Sequence, residues 1–253
     1  MLHTDSLYES ELRKLRESVL LMGAKCQEIV TRALGALDSR EVEVARSLIP
    51  LDVQIDQLEV RIDDLALMIL ARRQPVAKDL RFIASVLKMV TDLERIGDLG
   101  VNICERVVEL CAEPTLPEQE AVTSLGVDVT RMLQDALSAF ANGDATLARE
   151  VLARDESVDR SFARIFHAMV GCMMKNPGSI ERATRLQSLA RYLERIADHA
   201  TNVAEMVVFM VKGQDVRHAP RSVVALRREP SPPRARPRGA HQKNESQGHE
   251  LYG

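Results

Sequence analysis

Apolar residues recur at helical spacing almost without interruption through the first 213 residues of this 253-residue chain, and the pattern repeats itself about 100 residues on. A strand pairs well only with period-two alternation, so this spacing restricts the chain to helices packed on helices. Aromatic residues make up 3% of the chain and Trp is absent, which leaves Leu, Val, Ile, Met and Ala to fill the core. That composition favours helix over a β-sandwich or barrel.

The breaks fall where Pro, Gly or Asn interrupt the pattern. The spacing predicts helices at about 5–38, 41–73, 78–112, 118–142, 144–175 and 179–213, with Pro75, Pro114, Pro117 and Pro177 in or beside the turns. Asn142-Gly143-Asp144 reads as a turn followed by an N-cap. Pro50 is expected either to kink the second helix or to lie within its first turns.

Three helices precede the Pro114/Pro117 turn and three follow. The fold expected is therefore all-α, two tandem pseudo-symmetric three-helix bundles spanning 1–113 and 114–213. Residues 214–253 differ in kind. They hold five of the ten prolines and eight Lys/Arg against four Asp/Glu, which leaves a net charge near −7 on the rest. Too few apolar residues lie there to offset the entropy of ordering, so a disordered basic tail is expected beyond about Val216.

The four cysteines, Cys26, Cys104, Cys111 and Cys172, form no C-x-x-C pair and fall on predicted helices. They read as reduced thiols of a cytoplasmic protein. The polar N-terminus does not read as a signal peptide, and no apolar run approaches the ~20 residues that span a bilayer. The modest net charge of −3 gives no reason to expect a nucleic-acid partner.

The two copies share an acidic motif. Glu94, Asp98, Asn102 and Glu105 in the first half return as Glu194, Asp198, Asn202 and Glu205 in the second. At ~100° per residue each set spans one face about 80° wide. Ile96, Leu99, Ile103 and Leu110 lie across the first helix from it, and Ile196, Val203 and Met210 across the second. The preceding helices add Asp52, Asp56, Glu59 and Asp63, and Asp155 and Asp159 in the second copy. Chain reversal near residue 76 sets Asp56 level with residue 96, so acidic faces of neighbouring helices can meet. Phe162 and Phe166 replace Glu59 and Asp63, which predicts fewer ligands in the second site.

Several carboxylate and amide oxygens on one face suit a hard or borderline cation. Without one, like charges at i,i+4 repel by ~0.2–0.5 kcal/mol a pair. A solvated face laced with salt bridges gives the same spacing, and a carboxylate-bridged metallohydrolase is a further alternative. No phosphate loop, dinucleotide fingerprint or nucleophile elbow is present, and no His has a Glu three residues before it. His199, beside Asp98's counterpart Asp198, points about 140° away from Glu194 and is expected to serve in packing or at an interface and not as a metal ligand.

The paired E-R-I-x-D-x-x-x-N-x-x-E segments, the D-x-x-x-D helices before them and the two three-helix halves resemble the PhoU family, over residues 5–213. That resemblance implies a non-catalytic negative regulator of phosphate uptake and of the phosphate-starvation response. It implies an adaptor between the ATPase subunit of a phosphate ABC transporter and a sensor histidine kinase, often homodimeric, reaching the membrane only through its partners. It also implies bound divalent or trivalent metal ions (iron, zinc, manganese or magnesium). Glu94, Asp98, Asn102, Glu105, Glu194, Asp198, Asn202 and Glu205 would be ligands, with Asp52, Asp56, Asp155 and Asp159 as helpers.

Overall fold

The computed structural model describes residues 2–216. The expected disorder beyond Val216, and with it nearly all of the basic 214–253 segment, lies outside the described residues. Among those residues every regular element is helical. They are α1 (Leu2–Ser39), α2 (Val42–Leu48), α3 (Asp52–Arg73), α4 (Ala77–Cys111), α5 (Gln119–Asn142), α6 (Ala145–Lys175) and α7 (Ile180–Lys212).

The second expected helix is two. Pro50 sits inside a 3-10 turn, Ile49–Leu51, that separates α2 from α3. Proline has no N–H to donate and its ring crowds the preceding turn, so the α-helical ladder stops at Leu48 and restarts at Asp52. The other boundaries have local causes. α1 ends because Arg40 turns left-handed at φ 59°, with Glu41 N–H returning to the Ala36 carbonyl at 3.0 Å. The strain at Arg40 is offset by its guanidinium, which donates to the Cys111 and Glu113 carbonyls. Gly143 closes α5 at φ 62°, and Asp144 then caps α6 by accepting the Thr146 and Leu147 N–H groups at 2.8 and 3.0 Å.

α4 and α7, the last helices of the two halves, pack against each other at the centre of the molecule. They run antiparallel. Asp92 meets His199 and Asn202, Glu109 meets Arg185, and the Pro114 carbonyl meets Arg182, so numbers rise along one helix as they fall along the other. This register sets Gly97 level with Ala197, which puts the two copies of the acidic motif on either side of a local two-fold axis. α1 and α3 cover α4, while α5 and α6 cover α7.

The apolar residues form one continuous core that crosses this seam. Ile96, Leu99, Ile103 and Leu110 are buried as their helical angle predicts, and so are Ile196, Val203 and Met210. Cys26 and Cys104 are buried, Cys111 and Cys172 half-buried, and all four are free thiols. Burial pushes the Cys26 and Cys104 thiols up to about 12, which holds them protonated. Among the described residues no helix is long and apolar enough to cross a membrane.

Candidate functional site

Each half presents an acidic groove, between α3 and α4 in the first and between α6 and α7 in the second. Ile55, Leu58 and Ile62 bury one side of α3. This orients Asp52, Asp56, Glu59 and Asp63 toward the edge that borders α4. The two acidic rows face each other closely enough to repel. Burial first, then Asp98 and the α3 acids Glu59 and Asp56, push the Glu94 carboxyl above its usual range, against the opposing pull of Arg95. Asp52 is raised by burial, Asp56 and Asp98, and Glu59 by burial, Asp63 and Asp56. In the second groove Glu194 is raised by burial, then by Asp198, Asp159 and Asp155.

The grooves differ in their details. Arg95 lies 3.3 Å from Glu94 and 3.2 Å from Asp98 and grips both. The Asp52 Oδ1 atom is buried with no hydrogen-bond partner, and so is Asp63 Oδ1. Asp155, the counterpart of Asp52, is 1% exposed and accepts a hydrogen bond from Thr201 at 3.2 Å. The first half carries Val101 where Thr201 stands, so Asp52 has no matching donor. Asn202 donates to Asp92 of α4 at 2.8 Å, across the seam. Asp198 and Asn202 are exposed, Glu205 half-exposed, and Asp159 exposed. Asp56 and Glu105 are also exposed, while Asp98 and Asn102 are half-buried.

His199 lies in the seam, with Nδ1 2.9 Å from Asp92 Oδ1. Its interface role agrees with its helical angle. Asp92 itself was not singled out by spacing, because it falls about 160° from Glu94, off the stripe. A signal was available, however. Asp92 and His199 are two positions where the repeat fails, standing opposite Tyr192 and Leu99 in the other copy.

The donor chemistry of the first groove fits a hard cation. Carboxylates converge from two helices, two buried Asp oxygens lack a partner, and burial, then neighbouring acids, raise the Glu94 and Asp52 carboxyls. The donors are not drawn into a finished cage. Among the described residues no three His, Cys, Asp or Glu side chains are gathered closely enough to hold an ion. A bound ion would have to pull them together through rotamer changes.

A family model described as "PhoU domain" matches residues 19–107 and 122–207. The chain belongs to the PhoU family. It is 41% identical to the phosphate-specific transport system accessory protein PhoU homolog of Pseudomonas aeruginosa over 217 residues, 85% of this chain and 90% of that one. The corresponding PhoU of Escherichia coli K12 is 32% identical over 216 residues, 85% and 90% of the two chains. The crystal structure of the Pseudomonas aeruginosa PhoU superposes with a TM-score of 0.79 at 40% identity, covering 82% of this chain and all of that one. A PhoU regulatory protein from Streptococcus pneumoniae gives 0.76 at 31% identity, covering 83% of this chain and 99% of that one. The PhoU fold, with both halves of this chain, is therefore shown by sequence and by structure.

The repulsion in these grooves has a measurable consequence. A carboxyl whose pKa is raised by folding binds more protons folded than unfolded, so stability falls as pH rises. For Glu94 and Glu194 the window opens at the ordinary 4.5 and extends upward. In chelator, Glu94→Gln is expected to stabilise the protein at neutral pH by about 0.2–0.5 kcal/mol, and the gain should fade as pH is lowered toward 4.5. Urea titrations across that range read the difference. A variant less stable than the parent at neutral pH would show that Glu94 is held by partners rather than strained.

Proposed function

We propose that this PhoU-family chain is a non-catalytic accessory protein that restrains phosphate uptake and the phosphate-starvation response when phosphate is plentiful. It would act as an adaptor between the ATPase subunit of a phosphate ABC transporter and a sensor histidine kinase. The observation that carries the reading is family membership across both halves, with relatives named as phosphate-specific transport system accessory proteins. An adaptor changes a partner's state only by binding one state better than the other. Its work needs a recognition surface rather than a reactive group. The protein would reach the membrane through those partners and pair as a homodimer.

Metal ions belong to the same proposal. Glu94, Asp98, Asn102 and Glu105, helped by Asp52 and Asp56, would hold ions in the first groove. Glu194, Asp198, Asn202 and Glu205, helped by Asp155 and Asp159, would do so in the second. Iron, zinc, manganese or magnesium bound there would supply positive charge that offsets the crowded carboxylates. The chain's own part is to set two acidic rows edge to edge on rigid helices. Arg95 partly neutralises the first row in the meantime.

The test is alkaline phosphatase activity in cells lacking the gene and grown in excess phosphate. High activity, returned to the repressed level by the intact gene, is the expected result. Low activity in the deletion strain, with no second family member to compensate, would remove the repressor reading.

A further inference from the structure

A pocket of about 620 Å³ opens at the end of the molecule where both halves converge, away from the acidic grooves. α1 supplies Leu12 and Arg16, α4 supplies Lys78 and Phe82, and the end of α7 supplies Met210 and Val211. The turn that joins α5 to α6 forms the remaining wall. The volume lies in the range of small-molecule sites.

Its lining carries two cations, Arg16 and Lys78, one carboxylate, Asp79, and one neutral amide, Asn142. Arg16 is half-buried, 4.8 Å above the Phe82 ring and 5.2 Å from that of Phe140. One arm of its guanidinium donates to the Phe140 and Ala141 carbonyls at 2.7 and 3.4 Å, which closes the end of α5. That capping role accounts for one nitrogen. Among the described residues no carboxylate lies within ion-pair distance of Arg16, although Arg73, Arg106, Arg154, Arg182 and Arg185 all have one. Lys78 has no such partner either, and the N-terminus of α4 on which it sits has no side-chain cap. Arg81, one turn further on, packs against Gly213 at the end of α7, and its buried Nε has no hydrogen-bond partner.

Asp79 is the single carboxylate in the lining, and its Oδ2 accepts the Tyr8 hydroxyl at 2.9 Å. Arg16, Lys78 and the α4 N-terminus stand over an apolar floor against one carboxylate held by Tyr8 and the carbonyl end of α5, which Arg16 already caps. That combination fits a ligand with a doubly charged oxyanion at one end and an apolar body at the other.

We propose that this pocket binds an organic phosphate monoester, with its phosphoryl group on Arg16, Lys78 and the α4 N-terminus and its apolar part on Phe82 and Met210. The inference does not depend on the metal grooves or on the adaptor reading. An occupied pocket ties α1, α4, the α5–α6 turn and α7 together, so ligand binding stiffens the junction between the halves.

The experiment is a nuclear magnetic resonance titration of the full chain with phenyl phosphate, with phenol as the uncharged control. Phenyl phosphate should shift the Lys78, Phe82 and Gly143 amide signals, and inorganic phosphate should compete. Phenol should leave them in place. Lys78→Glu, an exposed change that spares the core, should weaken binding at least about tenfold with an unchanged circular dichroism spectrum. No shift at several millimolar, equal shifts with phenol, or undiminished binding by the variant would each overturn the proposal. Co-sedimentation with phosphatidic acid vesicles while phenyl phosphate moves no pocket signal would overturn it too, because the anion contact would then be a surface one.

Discussion

Phe140→Ala should destabilise the protein by about 3–5 kcal/mol. The ring is fully buried and stacks on Phe82, with centroids 6.1 Å apart and planes 9° from parallel. The chain has five Phe, three Tyr and no Trp, so its aliphatic core has few large side chains able to close such a void. Arg16 also loses one of its two aromatic faces while still holding the Phe140 carbonyl. For a chain of this size the melting temperature should fall by about 6–20 °C. Leu21→Ala makes a fitting control, because Leu21 is 52% exposed and should shift stability by less than about 0.5 kcal/mol. Phe140→Leu keeps most of the volume and should recover much of the loss. A thermal melt of Phe140→Ala within a degree or two of the parent would mean that the core around α5 collapses without cost.

The largest functional effect is expected from Asp98→Asn combined with Asp198→Asn. Each change keeps size and shape, and together they remove one carboxylate from each groove. The purified double variant should lose metal affinity by at least about 10–100-fold, read by elemental analysis after dialysis against defined metal. In cells it should leave phosphatase activity high in excess phosphate. Its fold should survive, since both positions border solvent and removing like charge relieves repulsion. The single changes should not be equal. The second groove has Phe162 and Phe166 in place of two acids, and Asp92 already engages its Asn202. Asp198→Asn alone should therefore cost less bound metal than Asp98→Asn. Unchanged metal content and full repression in the double variant would reduce the stripes to solvated faces with salt bridges.

The helices and their faces could be read in the chain because both follow from local spacing. Ile96, Ile103 and Val203 are buried where a 3.6-residue period puts them, and Asp52 and Asp56 meet Glu94 and Asp98 where reversal near residue 76 predicts. The interruption at Pro50 is likewise a single-residue effect, although it divides the helix in two instead of kinking it. What spacing missed are contacts between residues far apart in the chain. The Asp92–His199 pair spans 107 residues, and nothing local to Asp92 marks it. Asp155 reads as one more acid on a row, yet the approach of Thr201 puts it inside. Arg95 is next to Glu94 in sequence, but its grip on two acids at once depends on rotamers that periodicity does not specify.

The antiparallel seam between α4 and α7 has the form of an isologous interface, in which one surface meets a copy of itself. Between two separate identical subunits such a contact would impose strict equality, because any substitution on one side appears on the other. Here the two sides belong to one polypeptide and are free to diverge. Asp92 could pair with His199 without a second Asp–His pair opposite, and one groove could keep Glu59 and Asp63 while the other took Phe162 and Phe166. Covalent joining has turned a symmetric scaffold into one that can assign its two faces different ligands, different affinities and different partners.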